Sequence, residues 1–388
     1  MAALMDTGRE RMRVAAGLLV TCEGKVLLVK QRPGGRYSIP KGTVEGGEDL
    51  LSAAVRETRE ETGLDIPREA IDPRPRLCSV SVPGCRRRLY YFRAQLPPEC
   101  AGELRAADAA EIESCAFHSP AEAASLIQVS QAGLLWDGRG SIPLPVIHRL
   151  EAAGWIRTVP HPFLPLTIVS YTRQCKLEQA WNEVTLWARG LAVGEDGRIA
   201  ARSMKKFFEW GQLYPECRPS GKASVTEKID GHMVFSYMDG TLPRLASRGS
   251  FCDRTATEAT GILHRLYPEA ASRMDPSLTY VLEAVYPAGR LVLDYGDTEE
   301  LTLLDIVDPS TGQSVLGRVP NPGFPRPEAH ADATDIQDYL HLDIPGHEGV
   351  VLRFPDGERI KVKYPWFKKA YMRQYHTNKQ TNHRAEQP

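Results

Sequence analysis

The stretch Gly42–Leu64, GTVEGGEDLLSAAVRETREETGL, decides the fold of the first part of the chain. It runs Gly42, five residues, Glu48, seven residues, Arg56-Glu57, then Glu60-Glu61, one residue and Gly63. A helix is expected from about Asp49 to Thr62, closed by Gly63 as its C-cap. On that helix Glu57, Glu60 and Glu61 stand at i, i+3 and i+4, so three carboxylates share one face. Like charges so placed repel unless a cation lies among them. Hard divalent ions, Mg2+ or Mn2+, suit carboxylate oxygens and bridge substrate phosphates. A stripe of Leu51, Ala54, Val55, Thr58 and Thr62 is expected to hold the helix on a sheet, and Arg56 to pair with Glu48. One glutamate would then serve as general base for a metal-bound water.

Working outward, Val14 to Val29 alternate around a Glu23-Gly24 turn as a hairpin would. A second strand pair is expected around Leu77 to Leu96, and a closing helix from Ser119-Pro120 to Ile127. The segment from Gly42 to Leu64 resembles the Nudix box over its full length. That resemblance implies a metal site at Gly42, Glu57, Glu60 and Glu61, and a Nudix α/β/α sandwich over about residues 12–130, within a domain spanning 1–135. Tyr37-Ser38-Ile39-Pro40-Lys41-Gly42 resembles the version in diadenosine polyphosphate and related hydrolases, which implies a substrate holding a nucleoside diphosphate linked to a second group.

The chain has 388 residues, enough for two buried cores, and 42% of them are hydrophobic. With 48 basic and 49 acidic side chains the net charge is -1, so no uniform basic surface announces a nucleic-acid partner. The charge is uneven, however. Arg359 to Arg384 is strongly basic and interleaves Trp366, Phe367, Tyr371 and Tyr375, a pattern suited to phosphate contact with base stacking. The eight cysteines form no CxxC pair, so neither a zinc site nor a disulfide framework is expected. No apolar run approaches a membrane span and the start lacks a signal peptide's apolar segment, so a cytoplasmic protein is expected.

The stretch from Gly138 to Leu166, with Pro143, Pro145, Pro160, Pro162 and Pro165, reads as the linker, whose bounds are set at 136–164. Beyond it, strands are expected at Leu166–Tyr171, Arg189–Val193, Ala223–Tyr237, Tyr280–Tyr286, Arg290–Tyr295 and Leu301–Val307. Helices are expected near Gln174–Glu183, Met204–Trp210 and Arg254–Leu266. The pattern is α+β, and the domain runs over 165–388.

This second part carries Lys228-Ile229-Asp230-Gly231, then Glu283, then Glu348-Gly349-Val350-Val351, then Lys361 and Lys363. A lysine amine attacks an α-phosphate only with a depressed pKa and a neutralised leaving group. Lys361 and Lys363 alternate, so both point to one strand face near such a lysine. Glu283 offers a carboxylate for a ribose and Glu348 one for metal. The ordered series reads as a covalent nucleotidyltransferase. Arg189-Gly190-Leu191, Lys205-Lys206-Phe207-Phe208, Arg248-Gly249 and Gly289-Arg290-Leu291 narrow this: residues 165–370 resemble the bacteriophage RNA ligase 1 family. The resemblance implies a nucleotidyltransferase domain of antiparallel sheets with flanking helices, and lysyl-AMP formed on Lys228 from ATP or NAD. It also implies nucleotide contacts from Arg189, Lys206, Asp230, Gly231, Arg248, Glu283, Glu348, Lys361 and Lys363, and RNA ends, tRNA among them, as partners. Where the phage family continues into a helical tRNA-recognition domain, only a short tail follows Lys363 here. The expected function is RNA end processing and repair. The alternatives are a NAD-dependent polynucleotide ligase whose Nudix domain acts on donor or by-product, a DNA ligase, and a sensor of nucleotides or RNA ends.

Overall fold

The computed structural model describes residues 13–82, 85–100, 104–106, 109–212 and 218–374. The chain divides into two compact units. The first comprises Met1–Thr158, Val169–Ala188 and Asp196–Arg198, and the second Val159–Ile168, Arg189–Glu195 and Ile199–Pro388.

In the first unit, β1 (Arg13–Cys22), β2 (Lys25–Gln31), β3 (Arg36–Ser38), β4 (Lys41–Thr43), β5 (Ile71–Val82), β6 (Cys85–Leu96) and β7 (Ile112–His118) form one seven-stranded mixed sheet. Its path is β3-β2-β1-β6-β5, with β4 paired to β1 and β7 to β2. The expected hairpins appear as β1 with β2 and β5 with β6, while β1 and β6 run parallel. Leu18, Leu27, Leu28, Ile39 and Tyr91 fill its core and are fully buried.

Helix α1 (Leu50–Thr62) packs on this sheet. Asp49 caps it by accepting from the Leu51 and Ser52 N–H groups, and Gly63 ends it with φ 73°. Its buried residues are Leu50, Ala53, Ala54, Thr58, Glu61 and Thr62. The stripe is thus rotated from the expected one: Leu51 and Val55 are both half-buried, and a carboxylate, Glu61, belongs to the covered face. Helix α2 (Pro120–Leu126) begins with a Ser119 and Glu122 capping box.

Residues 136–164 are not an irregular linker. After α3 (Val129–Ala132), they include α4 (Leu144–Ala152) and β8 (Ile156–Pro160). Pro143 is the N-cap of α4 and Pro145 lies in its first turn, positions where proline starts a helix. Val146, Ile147 and Leu150 are buried. The strand β9 (Leu166–Tyr171) lies where expected. The expected Gln174–Glu183 helix is instead two short helices, α5 (Arg173–Glu178) and α6 (Glu183–Trp187), separated by Gln179 at φ 49°.

In the second unit, β10 (Arg189–Gly194) pairs with β11 (Ile199–Arg202). Two larger sheets follow. One has the order β12-β20-β19-β13-β18, from Phe208–Glu209, Arg359–Lys363, Gly349–Arg353, Ala223–Glu227 and Ala329–Ala333. The other is β15-β14-β16-β17, from Leu242–Ser247, His232–Asp239, Thr279–Val285 and Glu300–Val307. Helices α7 (Arg254–Leu266) and α8 (Pro268–Arg273) close a core with the second sheet, through Ile262, Leu263, Leu282 and Leu303. Val225, Val350, Leu352, Ile360, Val362 and Tyr364 form a separate core on the first sheet, against Tyr339 of α9 (Gln337–Leu340).

Three expectations fail here. Residues 204–207 are not helical, and the chain enters β12 directly. Residues 290–295 are not a strand, because the Val292 and Leu293 N–H groups both donate to the Asp230 carboxylate at 2.8 Å instead of to a neighbouring strand. The basic end is strand to Lys363 and helical over 365–374, with Phe367 buried at 2% exposure and so withdrawn from base stacking. Tyr375 and the residues to Arg384 lie outside the described residues.

Candidate functional sites

The first site stands between α1 and β4. Arg56 holds it together: its guanidinium grips Glu48 through Nε at 3.0 Å and Nη2 at 2.9 Å, and its Nη1 donates to Glu57 and Glu60, each at 2.9 Å. The expected Arg56 and Glu48 pair is therefore present, extended to two further carboxylates. Glu61 accepts from the Lys41 N–H at 3.0 Å. Burial raises the Glu57 carboxyl above its ordinary range, against the pull of Arg56. Burial pushes Glu61 up to about 7, opposed by Lys41 and reinforced by Glu57 and Glu111. Glu111, in the turn before β7, is not signalled by the sequence because nothing local marks a turn carboxylate. Glu60 is the outlier, with its side chain 54% exposed. Among the described residues no three His, Cys, Asp or Glu side chains converge as a metal cage.

The donor set nevertheless fits Mg2+ or Mn2+. The half-buried Glu57 and the buried Glu61 are both raised by desolvation, and hard oxygens are what those ions take. Gly42 shows how tightly one of them is cradled: a Cβ there would fall 1.9–2.2 Å from the Glu57 carboxyl atoms. Because that carboxylate is the end of a flexible side chain, Gly42→Ala is expected to displace it rather than unfold the unit. Mn2+ affinity, read by titration calorimetry, should fall about 10- to 100-fold while the melting temperature stays near that of the parent.

The second site lies within the second unit. Lys228 follows β13, with its N–H bonded to the Gly349 carbonyl at 2.8 Å. Its Nζ lies 2.8 Å from Glu348 Oε2, and Lys363 Nζ lies 2.7 Å from Glu348 Oε1. Glu348, expected as a metal ligand, is thus occupied by two ammonium groups and buried at 2% exposure. Burial pushes Lys361 down to about 7, aided by repulsion from Arg189, Lys206, Lys228 and Lys363. Burial lifts Glu283 to about 7, against the attraction of Lys228 and Arg189. Lys361 and Lys363 do share one face of β20, since Ile360 and Val362 between them are core.

Asp230 faces the 292–293 backbone, and its own N–H donates to the Tyr295 hydroxyl at 3.1 Å. Gly231 lets β14 start against β16, since a Cβ there would meet the Ala284 carbonyl at 2.8 Å. A small cavity opens beside them, lined by Asp230, Gly231, Tyr286, Arg290, Leu293 and Tyr295. Arg248 is exposed in the turn after β15, and the charges that act most on Lys361 and Glu283 come from the other residues named above. Phe207 joins the site without having been expected there: its ring stands 5.4 Å from the Arg189 guanidinium and 5.7 Å from Lys361 Nζ, between two like charges.

Residues 11–135 match the family model described as the NUDIX domain. This part of the chain is a Nudix domain. Among solved structures the chain is similar to an Ap4A hydrolase from C. elegans, at 23% identity over 32% of this chain and 93% of that one, with a TM-score of 0.28. It is similar also to a MutT NUDIX hydrolase from Burkholderia pseudomallei, at 24% identity over 29% of this chain and 85% of that one, TM-score 0.24. A curated relative, the octanoyltransferase of Myxococcus xanthus, is 46% identical over 54 residues, which is 13% of this chain. The match spans 15% of that relative's length. No helix among the described residues is long and apolar enough to cross a membrane.

Proposed function

We propose that the chain processes and joins RNA ends, its Nudix domain cutting a nucleoside diphosphate linkage at an end and its second unit sealing the 5′-phosphate so exposed to a 3′-hydroxyl. The observation that supports this most is the gathering of Arg189, Lys206, Lys228, Lys361 and Lys363 around Glu283 and Glu348. Such an excess of positive charge around a lysine suits a polyphosphate whose α-phosphorus that lysine attacks.

In the Nudix domain, Mg2+ or Mn2+ bound by Glu57 and Glu61, with Glu60, would polarise the phosphoryl oxygens and lower the pKa of an attacking water. Arg56 orients Glu57 and Glu60 for that task. The Lys41 N–H, donating to Glu61, fixes the carboxylate in the position from which it would bind the ion.

In the second unit, Lys228 Nζ forms a bond to the α-phosphorus of ATP while the bond to the β-phosphate oxygen breaks and pyrophosphate leaves. Glu348 Oε2, 2.8 Å away, is the adjacent acceptor for the lysine's proton. AMP then passes to the RNA 5′-phosphate, and the 3′-hydroxyl displaces it. NAD is the alternative donor, with nicotinamide mononucleotide leaving instead of pyrophosphate.

The test is incubation with α-labelled ATP and, separately, adenylate-labelled NAD, in protein whose Nudix carboxylates are replaced so that the donor survives. Denaturation-resistant label from ATP is the expected result. Label from NAD alone would assign the Nudix domain to donor or by-product chemistry, and no label from either would overturn the reading of Lys228.

A further inference from the structure

The backbone that meets Glu61 and Glu57 is shaped by a residue far away in the chain. Ser38 ends β3 and Lys41 begins β4, so Ile39 and Pro40 form the whole connection between them. Proline has no N–H, which leaves Ile39 as the connection's only backbone donor. Ile39 is fully buried, and its N–H donates to Gln131 Oε1 at 3.0 Å. Gln131, in α3, is itself only 4% exposed. The Gln128 N–H donates to the Tyr37 carbonyl at 3.0 Å, so the same segment grips the chain on both sides of Ser38.

The connection is held from the other side by β1. The Pro40 carbonyl accepts from the Leu18 N–H at 3.2 Å. Gly17 makes that approach possible, since a Cβ there would fall 2.4 Å from the Pro40 carbonyl oxygen and 2.6 Å from Lys41 Cβ. The segment around α3 is in turn tied to the sheet: the Cys78 thiol of β5 donates to the Ser130 carbonyl at 3.0 Å, and Arg93 Nη2 of β6 donates to the Leu134 and Trp136 carbonyls, each at 2.6 Å. The run so fixed ends at the two carboxylates. The Lys41 N–H donates to Glu61 Oε2 at 3.0 Å, and Gly42 leaves the space that the Glu57 carboxyl group fills.

We propose that Gln131 is a positioning residue of the Nudix metal site, its amide oxygen holding the 39–42 backbone where Lys41 and Gly42 set Glu61 and Glu57. This rests on the reading of those carboxylates as ligands of Mg2+ or Mn2+. Removing the acceptor orphans a buried N–H, and the backbone must move to find that group another partner. Lys41 is two residues on, so the movement reaches the Glu61 contact. Groups that orient metal ligands without touching the metal change its affinity about tenfold or more.

The experiment titrates Mn2+ into the full chain by calorimetry, comparing the parent with Gln131→Met, Gln131→Glu and Gln131→Asn, and records the melting temperature of each without metal. Methionine has similar bulk but no comparable acceptor, whereas glutamate returns an oxygen at the same reach. The expected result is a dissociation constant raised about tenfold in Gln131→Met and largely recovered in Gln131→Glu, although the glutamate buries a charge and lowers the melting temperature more. Gln131→Asn, an amide one methylene short that adds no charge, should fall between, and it carries the comparison should Gln131→Met not fold. A residue that only fills space would rank the variants the other way, methionine binding Mn2+ as the parent does and glutamate worse, and that ranking would overturn the proposal. Mn2+ affinity unchanged by Glu61→Gln would instead overturn the reading of the metal site, and this inference with it.

Discussion

Glu61→Gln is expected to lower Nudix hydrolysis by about 10²- to 10⁴-fold, yet to make the metal-free protein more stable above pH 7. The loss follows from removing a carboxylate that binds the divalent ion or takes the proton. The gain follows from burial. In the unfolded chain a glutamate releases its proton near 4.5, whereas in the fold Glu61 holds it to about 7. Below 4.5 both states are protonated and the residue contributes no penalty. As pH rises from 4.5 to 7 the unfolded chain deprotonates first, so the folded unit loses stability across that window, and the penalty is complete above 7. It amounts to about 3 kcal/mol at most. Glutamine keeps the shape and an acceptor for the Lys41 N–H without the buried charge. Thermal unfolding with chelator at about pH 8 should therefore favour Glu61→Gln, the difference should vanish at about pH 4, and saturating Mn2+ should cancel it at the higher pH by stabilising only the parent. A variant less stable than the parent in alkaline buffer without metal would show that Glu61 is a structural anchor and not an uncompensated ligand.

The legible parts of this chain are those governed by local chemistry. Asp49 and Gly63 bound α1 because caps act over three residues, and the register of Glu48, Arg56 and Glu57 survives in the observed ion pairs. Neighbours decide which side of a helix is covered, so the stripe on α1 differs from the expected one by a fraction of a turn and Glu61 lies inside it. Pro143 and Pro145 look like breakers in the sequence, yet they start a helix. Residues 204–207 and 290–295 escape for a shared reason. Phe207 is set by Arg189 and Lys361, and the 292–293 backbone by Asp230, partners between 18 and 154 positions away that no window of sequence contains. The same applies to Asp305, whose arginine at 359 lies on another sheet. Motif order does name most members of the lysine cluster, since Lys228, Glu348, Lys361 and Lys363 meet within hydrogen-bonding or electrostatic reach.

Lys228→Ala and Glu348→Gln should both abolish covalent labelling, to at most about 1% of the parent, but they should part in stability. Lys228→Ala removes one cation from an overcharged pocket, and Glu348 keeps its 2.7 Å contact with Lys363. No buried charge is stranded, so unfolding should shift by no more than about 1 kcal/mol. Glu348→Gln strands two ammonium groups, since the glutamate carries both bonds from a site only 2% exposed. The remaining carboxylate, Glu283, is itself raised to about 7 and so is half-protonated at neutral pH. Lys228 and Lys363 then lose the carboxylate they share, and breaking such a pair costs about 3 kcal/mol. Added ATP or pyrophosphate should recover part of that loss, because the polyphosphate supplies the missing charge, whereas it should do little for Lys228→Ala beyond what it does for the parent. Denaturant unfolding of the three proteins with and without nucleotide distinguishes the cases. Equal stability of Glu348→Gln and the parent would mean the lysines find other partners, and Glu348 would then act on the nucleotide directly instead of holding Lys228 and Lys363 for it.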